Sequence, residues 1–169
     1  MENFIKALEK CVADKNWYGA LFIALTLPDI CGKIEYPNKS STQRYKDWFE
    51  RYLEPHYTRQ IGPAAMGIVH KFLSGSDCYA IRCALLHEGT DEIGEQRAQE
   101  ALDRFHFTEP PQSGCIHLNQ SGNVLQLQVD KFASEMIQAI RSWMSNISCD
   151  NEKQERLLKL MKVRMEFRF

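Results

Sequence analysis

The chain has 169 residues, of which 44% are hydrophobic and 25% are charged, and its formal net charge is −1. This length suits one domain over residues 1–169, and the composition excludes a disordered or membrane-embedded chain. No apolar run reaches the ~18 residues of a membrane span, and no basic segment leads into an apolar signal core, so we expect a cytoplasmic protein without a membrane partner. A net charge near zero also means that any RNA binding must come from a local basic patch.

Cysteines and histidines do not form a metal-binding pattern. The six cysteines include no Cys-x-x-Cys pair, and we expect most of them to be reduced residues of the core. Ten residues lie between His106 and His117 in predicted strands, a separation that could bring two metal ligands together. No acidic or cysteine partner stands at regular spacing, so exposed strand histidines are the favoured interpretation and we expect no metal and no cofactor.

The N-terminal part of the chain predicts two helices. The first covers roughly 2–13 and carries one apolar stripe, whereas the second, from Trp17 to Leu27, is apolar on nearly every side and should be central. Pro28 is expected to end or bend that helix. Asp29 then serves most simply as the N-cap of a short turn, and the alternative is a carboxylate that orients Arg82.

Ser41 or Thr42 can cap a third helix, which Pro55 stops. Its aromatic and leucine side chains fall at i, i+3, i+4, i+7 and i+8: Tyr45, Trp48, Phe49, Tyr52 and Leu53. A stripe at this spacing indicates a core face rather than a surface for stacking bases. A connector with His56 and Arg59 then leads to a predicted helix from Pro63 to Leu73.

The stretch from Ser74 to Gly89 predicts a single capped helix. Ser76 or Asp77 can accept hydrogen bonds from the first free N–H groups, and Gly89 can adopt the left-handed conformation that ends a helix. Apolar residues repeat at helical spacing between these caps: Cys78, Ile81 and Leu85. Two long polar side chains, Arg82 and His87, interrupt this apolar helix in its second half.

The spacing of Arg82 and His87 limits what they can do together. Five residues of an ideal helix turn about 140° beyond one full circle, so the two side chains do not point at a common spot. If two copies of the helix meet across a two-fold axis, Arg82 of one chain approaches His87 of the other. We therefore expect a homodimer with a composite site.

The motif from Arg82 to His87 resembles the Arg-x4-His motif of HEPN domains, which are small helical bundles of prokaryotic toxins, defence systems and RNA-processing factors. The resemblance implies a metal-independent endoribonuclease that acts as a dimer and leaves a 2′,3′-cyclic phosphate. It also implies RNA as substrate and an antitoxin or nucleotidyltransferase as a potential partner. Many active members carry Asn or another polar residue directly after the arginine, where this chain has Cys83.

The chemistry of the two side chains agrees with such a reaction. An imidazole titrates near pH 6.5 and can move the proton of a ribose 2′-hydroxyl, while the forked guanidinium can bind a phosphate as negative charge builds. RNA supplies its own nucleophile, so no metal is required. The candidate catalytic residues are Arg82 and His87, and the candidate supporting residues are Tyr79, Asp77, Glu88 and Asp29.

The sequence after Gly89 predicts a short polar helix over residues 90–104 and then a change to strand periodicity. Phe105 and Phe107 alternate with polar residues, and strands are predicted over 115–118 and 124–129 around a turn at 119–123. We expect a small antiparallel hairpin or three-stranded sheet inserted near residues 104–129 of a mostly α, HEPN-like bundle. A long amphipathic helix from Asp130 to about Ser145 closes that bundle.

Asp150 or Asn151 starts a final helix whose apolar side consists of Leu157, Leu158, Met161 and Met165. Its basic residues form the one clear cationic cluster of the sequence, with Lys159, Lys162 and Arg164 as candidate RNA-binding residues. Such residues would make sequence-independent phosphate contacts that weaken as salt rises. The alternative is a solvated outer face of the helix.

A non-catalytic, HEPN-like interaction module is the competing interpretation of the whole chain. In that case Arg82 bridges two helices by a salt bridge, and His87 hydrogen-bonds the last carbonyls of its own helix. The cysteine that follows Arg82 favours this alternative. RNA cleavage in the presence of EDTA, and its loss in Arg82→Ala and His87→Ala, would distinguish the two functions.

Overall fold

The computed structural model describes residues 1–63, 67–90 and 104–163. This part of the chain is mostly helical and carries two small sheets, as predicted for the fold class. The helices are α1 (Glu2–Ala13), α2 (Trp17–Glu35), α3 (Ser41–Tyr52), α4 (Gly75–Cys83), α5 (Val129–Asn146) and α6 (Asn151–Leu158). The strands are β1 (Thr58–Ile61), β2 (Ile68–Lys71), β3 (Arg104–Thr108), β4 (Asn119–Ser121) and β5 (Val124–Gln128).

The core lies where α2 meets α1, α3 and α5, and the predicted faces of these helices are confirmed. The aromatic stripe of α3 is buried rather than presented to solvent, with Trp48 and Phe49 fully covered. Trp48 meets Trp143 of α5 edge to face at 6.4 Å between ring centroids. Because an aromatic side chain of this size buries a large apolar area, these contacts account for much of the packing energy between α3 and α5.

Helix α2 is longer than predicted. Pro28 lies inside it and is buried, and the helix continues to Glu35 instead of ending at Leu27. Proline removes one backbone donor, but the burial of the apolar residues on both sides of Pro28, among them Leu25, Leu27 and Cys31, outweighs that local cost. Although α2 is the longest and most apolar helix, neither it nor any other helix of the described ranges could cross a bilayer.

Glu35 is a buried carboxylate at the C-terminal end of α2. It accepts a hydrogen bond from Nε1 of Trp143 at 2.9 Å and pairs with Nζ of Lys153 at 3.0 Å. These contacts join α2 to α5 and to α6, which begins after the cap Asp150 as predicted. The predicted apolar side of α6 is wrong in part, because Leu158 and Met161 are largely exposed and the helix ends at Leu158. Met165 lies outside the described residues.

A β-hairpin replaces the helix that was predicted from Pro63 to Leu73. Strands β1 and β2 pair antiparallel, with Thr58 opposite Lys71 and Ile61 opposite Ile68. Ile68 and Val69 are β-branched residues that favour an extended backbone, and β1 offers them a partner. The helix prediction relied on Pro63 as a helix start and did not consider this pairing.

The second sheet occupies the predicted region but is mixed rather than wholly antiparallel. Its order is β3-β5-β4, with β3 parallel and β4 antiparallel to β5. Residues 115–118 are not a strand, because Leu118 has a φ of +57° and breaks the extended backbone before Asn119. The turn falls at Gly122, whose φ is +56°, so β4 covers residues that were predicted as the turn. The helix predicted over residues 90–104 falls mostly on 91–103, outside the described residues.

The side chain of His117 is only 8% exposed, contrary to the prediction of an exposed strand histidine. Its Nδ1 accepts a hydrogen bond from the backbone N–H of Gln128 at 3.2 Å, so the ring proton is on Nε2, 3.2 Å from Oε2 of Glu135. The same carboxylate oxygen accepts the hydroxyl of Tyr57 at 2.6 Å. The network joins the inserted sheet to α5.

Candidate functional site

The N-cap of the helix that carries the candidate catalytic residues lies two or three residues before the predicted caps. Ser74 is the N-cap, and its Oγ accepts a hydrogen bond from the backbone N–H of Asp77 at 3.0 Å. The hydroxyl also donates to the Asp77 carboxylate at 2.7 Å. Ser76 and Asp77 are therefore buried residues of the first turn rather than caps. This placement makes Asp77 a residue of the helix start, at the opposite end from His87.

The last turn of this helix is a π turn, Ala84–Glu88, that follows α4 without interruption. A π turn makes i→i+5 hydrogen bonds and so places residues five apart above one another. Gly89 then ends the helix with a φ of +66°, as predicted. The ideal-helix geometry assumed from the sequence is wrong at this turn.

The π turn brings Arg82 and His87 into contact within one chain. Nη1 of Arg82 lies 3.0 Å from Nε2 of His87. The expectation that the two side chains do not meet within one chain is therefore wrong, because its premise was the 100° step of a regular α-helix. The composite site of a homodimer stays a prediction. His87 is exposed, and Arg82 is half-buried beneath it.

Asp29 holds the other side of the guanidinium. Its carboxylate lies 2.9 Å from Nη2 of Arg82, and the two side chains are only 15% and 22% exposed. Asp29 lies inside α2 and caps no turn, so the alternative interpretation of this residue is confirmed. The ion pair links α2 to α4 and fixes the position of Arg82 relative to the core. Nε of Arg82 is buried and has no hydrogen-bond partner among the described residues.

The contact with Arg82 determines the tautomer of His87. A guanidinium only donates hydrogen bonds, so Nε2 of His87 accepts and the ring proton is on Nδ1. The lone pair of Nε2 is thus directed at the arginine. A ligand that draws this N–H of the guanidinium to itself would release that lone pair for another proton.

The charge of Arg82 is well supported. Burial acts against its charged form, but the carboxylate of Asp29 and the nearby Cys83 and Tyr79 together raise the pKa of the guanidinium. Arg82 therefore stays cationic at every pH at which the protein folds. A permanent cation next to an exposed imidazole is a suitable pair for binding and reacting with a phosphate.

Tyr79 lies beside Arg82, as its position one turn earlier predicts. The guanidinium carbon is 5.9 Å from the centroid of the Tyr79 ring, and that ring meets Tyr45 of α3 edge to face at 5.3 Å. Tyr79 thus supports the arginine from the core side. Glu88 directly follows His87 at the exposed end of the π turn.

A cationic groove runs between α2, α3 and the end of α6, and Asp29 is one of its lining residues. It contains one predicted RNA-binding residue, Lys159. Its three other cations were not among the predicted RNA-binding residues: Lys33, Arg44 and Arg156. The i, i+4 spacing of Asp29 and Lys33 was the available signal for this face. Lys162 is exposed beyond α6, and Arg164 lies outside the described residues.

A larger cleft of about 580 Å³ lies on another part of the surface, and none of the predicted site residues lines it. Its lining is largely apolar and includes Trp17, Leu85, Phe105 and Phe107. It adjoins the π turn through Ala84 and Gly89. The polar constellation and this cleft are therefore separate features.

The described residues include no group of three or more His, Cys, Asp or Glu side chains that could hold a metal ion. No protein-family model, curated protein or solved structure matches this chain. Its function is thus inferred from the geometry of the site.

Proposed function

We propose that the protein is a metal-independent endoribonuclease whose reacting groups are Arg82 and His87. The observation that supports this most directly is the 3.0 Å contact between Nη1 of the half-buried arginine and Nε2 of the exposed histidine. The resemblance of the motif to HEPN domains points to the same activity. In this proposal Arg82 binds the phosphate and His87 transfers a proton.

The reaction begins when a phosphate of RNA takes N–H donors of Arg82. The Nε2 lone pair of His87 is then released and accepts the proton of the adjacent ribose 2′-hydroxyl. The 2′-oxygen forms a bond to phosphorus, the bond from phosphorus to the 5′-oxygen breaks, and that oxygen takes up a proton. The products are a 2′,3′-cyclic phosphate and a 5′-hydroxyl end. Arg82 stabilises the charge on the phosphate oxygens throughout.

The geometry of this displacement supports a homodimer. Entering and leaving oxygens lie on opposite sides of phosphorus in an in-line reaction, so one imidazole serves one of them. His87 of a second copy would serve the other. In this form of the proposal each chain already contains a complete pair, and the dimer adds the second proton-transfer group.

Asp29 acts as a positioning residue. It holds Nη2 of Arg82 at 2.9 Å, and this contact leaves Nη1 directed toward His87 and the solvent. Tyr79 supports the same guanidinium through its ring. Arg82 thereby loses little conformational freedom when it binds a phosphate.

The competing function is a non-catalytic interaction module, and one contact favours it. The Asp29–Arg82 ion pair bridges α2 and α4, as a purely structural arginine would. In that case His87 is an exposed partner of the arginine and moves no proton. The two functions differ in what happens to RNA.

The test is cleavage of a labelled single-stranded RNA by the purified protein in excess EDTA. We expect wild type to cleave it, Arg82→Ala and His87→Ala to lose at least about 100-fold in rate, and the fragments to carry cyclic phosphates. Arg141→Ala is a matched control, since Arg141 also forms an interhelical ion pair, with Glu9 at 2.9 Å. His56→Ala controls for the loss of an imidazole. Equal residual activity in all these proteins would leave the interaction module as the function.

A cytoplasmic setting fits the cysteines. All six are free, and Cys115 and Cys149 are exposed thiols that persist in a reducing compartment. A toxin or defence role, with an antitoxin or nucleotidyltransferase as partner, remains part of the proposal on the strength of the resemblance alone. The homodimer is tested separately by the solution mass of the purified protein, which would be that of a dimer.

A further inference from the structure

The groove between α2, α3 and the end of α6 has a volume of about 470 Å³. Its cationic side chains are Lys33, Arg44, Arg156 and Lys159, and its carboxylate is Asp29. Its apolar lining includes Ile30, Ile34 and Leu160. Four cations gathered on a protein whose formal net charge is −1 make this groove a local site for an anion.

Two of the cations are held by backbone carbonyls. Arg156 donates from Nε to the carbonyl of Ile34 at 2.9 Å, and Lys33 donates to the carbonyl of Pro37 at 2.7 Å. Arg156 also forms an ion pair with the exposed Glu152 at 3.5 Å, so its charge is partly balanced. Holding the cations in place before a ligand arrives lowers the entropy cost of binding.

The backbone of Arg44 is held in place by the close packing of α3 against α2. Gly32 of α2 lies so close to α3 that a Cβ at this position would be 2.6 Å from the carbonyl oxygen of Arg44. This close approach sets one wall of the groove. Nε of Arg44 is buried and has no hydrogen-bond partner in the described part of the chain. An acceptor on a bound ligand would satisfy it.

Asp29 connects the groove to the candidate catalytic pair. Asp29 is a lining residue of the groove, and its carboxylate lies 2.9 Å from Nη2 of Arg82. Because Arg82 neutralises Asp29, the charge that a ligand meets in the groove comes mainly from the four cations. A chain that passes over Asp29 would run from the groove directly to Arg82 and His87.

We propose that this groove binds the single-stranded RNA that flanks the cleaved bond, with phosphates on the cations and a base or ribose on the apolar floor. The proposal rests on the proposed function, since it treats Arg82 and His87 as the place of reaction. RNA is favoured over an acidic peptide because the groove leads to the phosphate-binding arginine and because its floor suits a base. It adds Lys33, Arg44 and Arg156 to the substrate-binding residues.

The experiment measures binding apart from cleavage. A labelled single-stranded RNA of about 12 nucleotides is titrated with His87→Ala protein, and fluorescence anisotropy is recorded at several salt concentrations. The test variant adds Lys33→Gln and Lys159→Gln. The matched control adds Lys6→Gln and Lys131→Gln, two exposed lysines of α1 and α5, so both proteins carry the same net charge.

We expect the groove variant to bind about tenfold more weakly and to lower the slope of log K against log salt by about 1.4, or ~0.7 for each lost phosphate contact. The control should keep the parent affinity and slope. Equal weakening in both variants would overturn the groove assignment, and so would binding of polyglutamate in preference to RNA. Cleavage by wild-type protein with no difference between the variants would refute the groove alone. Groove-dependent binding without any cleavage would refute the nuclease alone.

Discussion

The carboxylate of Asp29 in α2 and the guanidinium of Arg82 in α4 form a mostly covered ion pair at 2.9 Å, although 53 positions separate them in the sequence. This pair fixes the arginine that contacts His87. Because Asp29 is also a lining residue of the cationic groove, the pair connects that groove to Arg82. The consequences of the pair can be measured for stability and for activity separately.

Asp29→Asn should therefore affect both properties. Removing the charge leaves Arg82 without its ionic partner, and we expect the free energy of unfolding to fall by about 1–2 kcal/mol. If Asp29 positions Arg82 for reaction, kcat on RNA should fall about tenfold while KM changes little. Urea denaturation and single-turnover kinetics measure the two effects.

The matched control for this prediction is Glu9→Gln, which breaks the more exposed pair with Arg141. Surface pairs contribute little, so this variant should stay within about 0.5 kcal/mol of wild type and keep its kcat. A stability loss in Asp29→Asn with unchanged kcat would show that Asp29 is structural and would argue against its positioning role.

Gly32→Ala should destabilise the protein although alanine is the better helix former. The new Cβ would lie 2.6 Å from the backbone carbonyl oxygen of Arg44, and a backbone atom cannot move aside as a side chain can. We expect a loss of about 1–3 kcal/mol, measured by denaturant unfolding. Lys33→Ala, at the exposed next position of α2, should change stability by less than about 0.5 kcal/mol. Equal stability of the two variants would contradict the close approach of α2 and α3.

The cysteines should differ sharply in reactivity. Burial raises the pKa of the Cys78 thiol to about 12, and it also raises the pKa of Cys31. Since the thiolate is the reactive form, neither thiol should react with iodoacetamide at pH 8 in the folded protein. Cys115 and Cys149 are exposed and should be alkylated first. Peptide mass spectrometry before and after addition of urea measures this order, which rapid labelling of Cys78 in the native state would refute.

Asp47 should make stability depend on pH in the acid range. Burial acts to raise its pKa, but the Lys39 ammonium and the Gln43 amide outweigh that effect and lower it. A carboxyl group with a lowered pKa in the folded state stabilises the protein above its unfolded pKa of ~3.9, and the contribution is lost as pH falls through the folded pKa. Asp47→Asn should thus be less stable than wild type at pH 7, by under about 1 kcal/mol because the pair lies near the surface.

The difference between wild type and Asp47→Asn should shrink below about pH 4 and disappear once both forms are uncharged. Thermal unfolding at a series of pH values measures it. The comparison variant is Asp14→Asn, which removes the charge of an exposed carboxylate that pairs with Lys10 at 2.8 Å. A constant difference from pH 7 to pH 2 would show that Asp47 acts by hydrogen-bond geometry and not by its charge.

The sequence by itself determined the amphipathic helices. The apolar stripes of α1, α3 and α5 were predicted and are confirmed. A helix that buries one face repeats its apolar residues with a period of 3.6, and this repeat can be seen within a short stretch of sequence. The glycine that ends the Arg82 helix was predicted for a similar reason, since its left-handed conformation is a local property. The sequence also identified Arg82 and His87 as the polar pair of that helix.

Only the tertiary structure decided how those two side chains meet. A π turn does not follow from apolar periodicity, and it changes the angle between positions 82 and 87 enough to bring them within 3.0 Å. Two other relationships between distant segments were hidden as well: the pairing of β1 with β2, and the gathering of Lys33 and Arg44 with the cations of α6 in one groove. The contact of Asp29 with Arg82 was named from the sequence only as the alternative interpretation, and the structure decided in its favour. These relationships depend on which surfaces pack together across the whole fold, and a local sequence pattern contains no information about contacts between segments that are far apart in the chain.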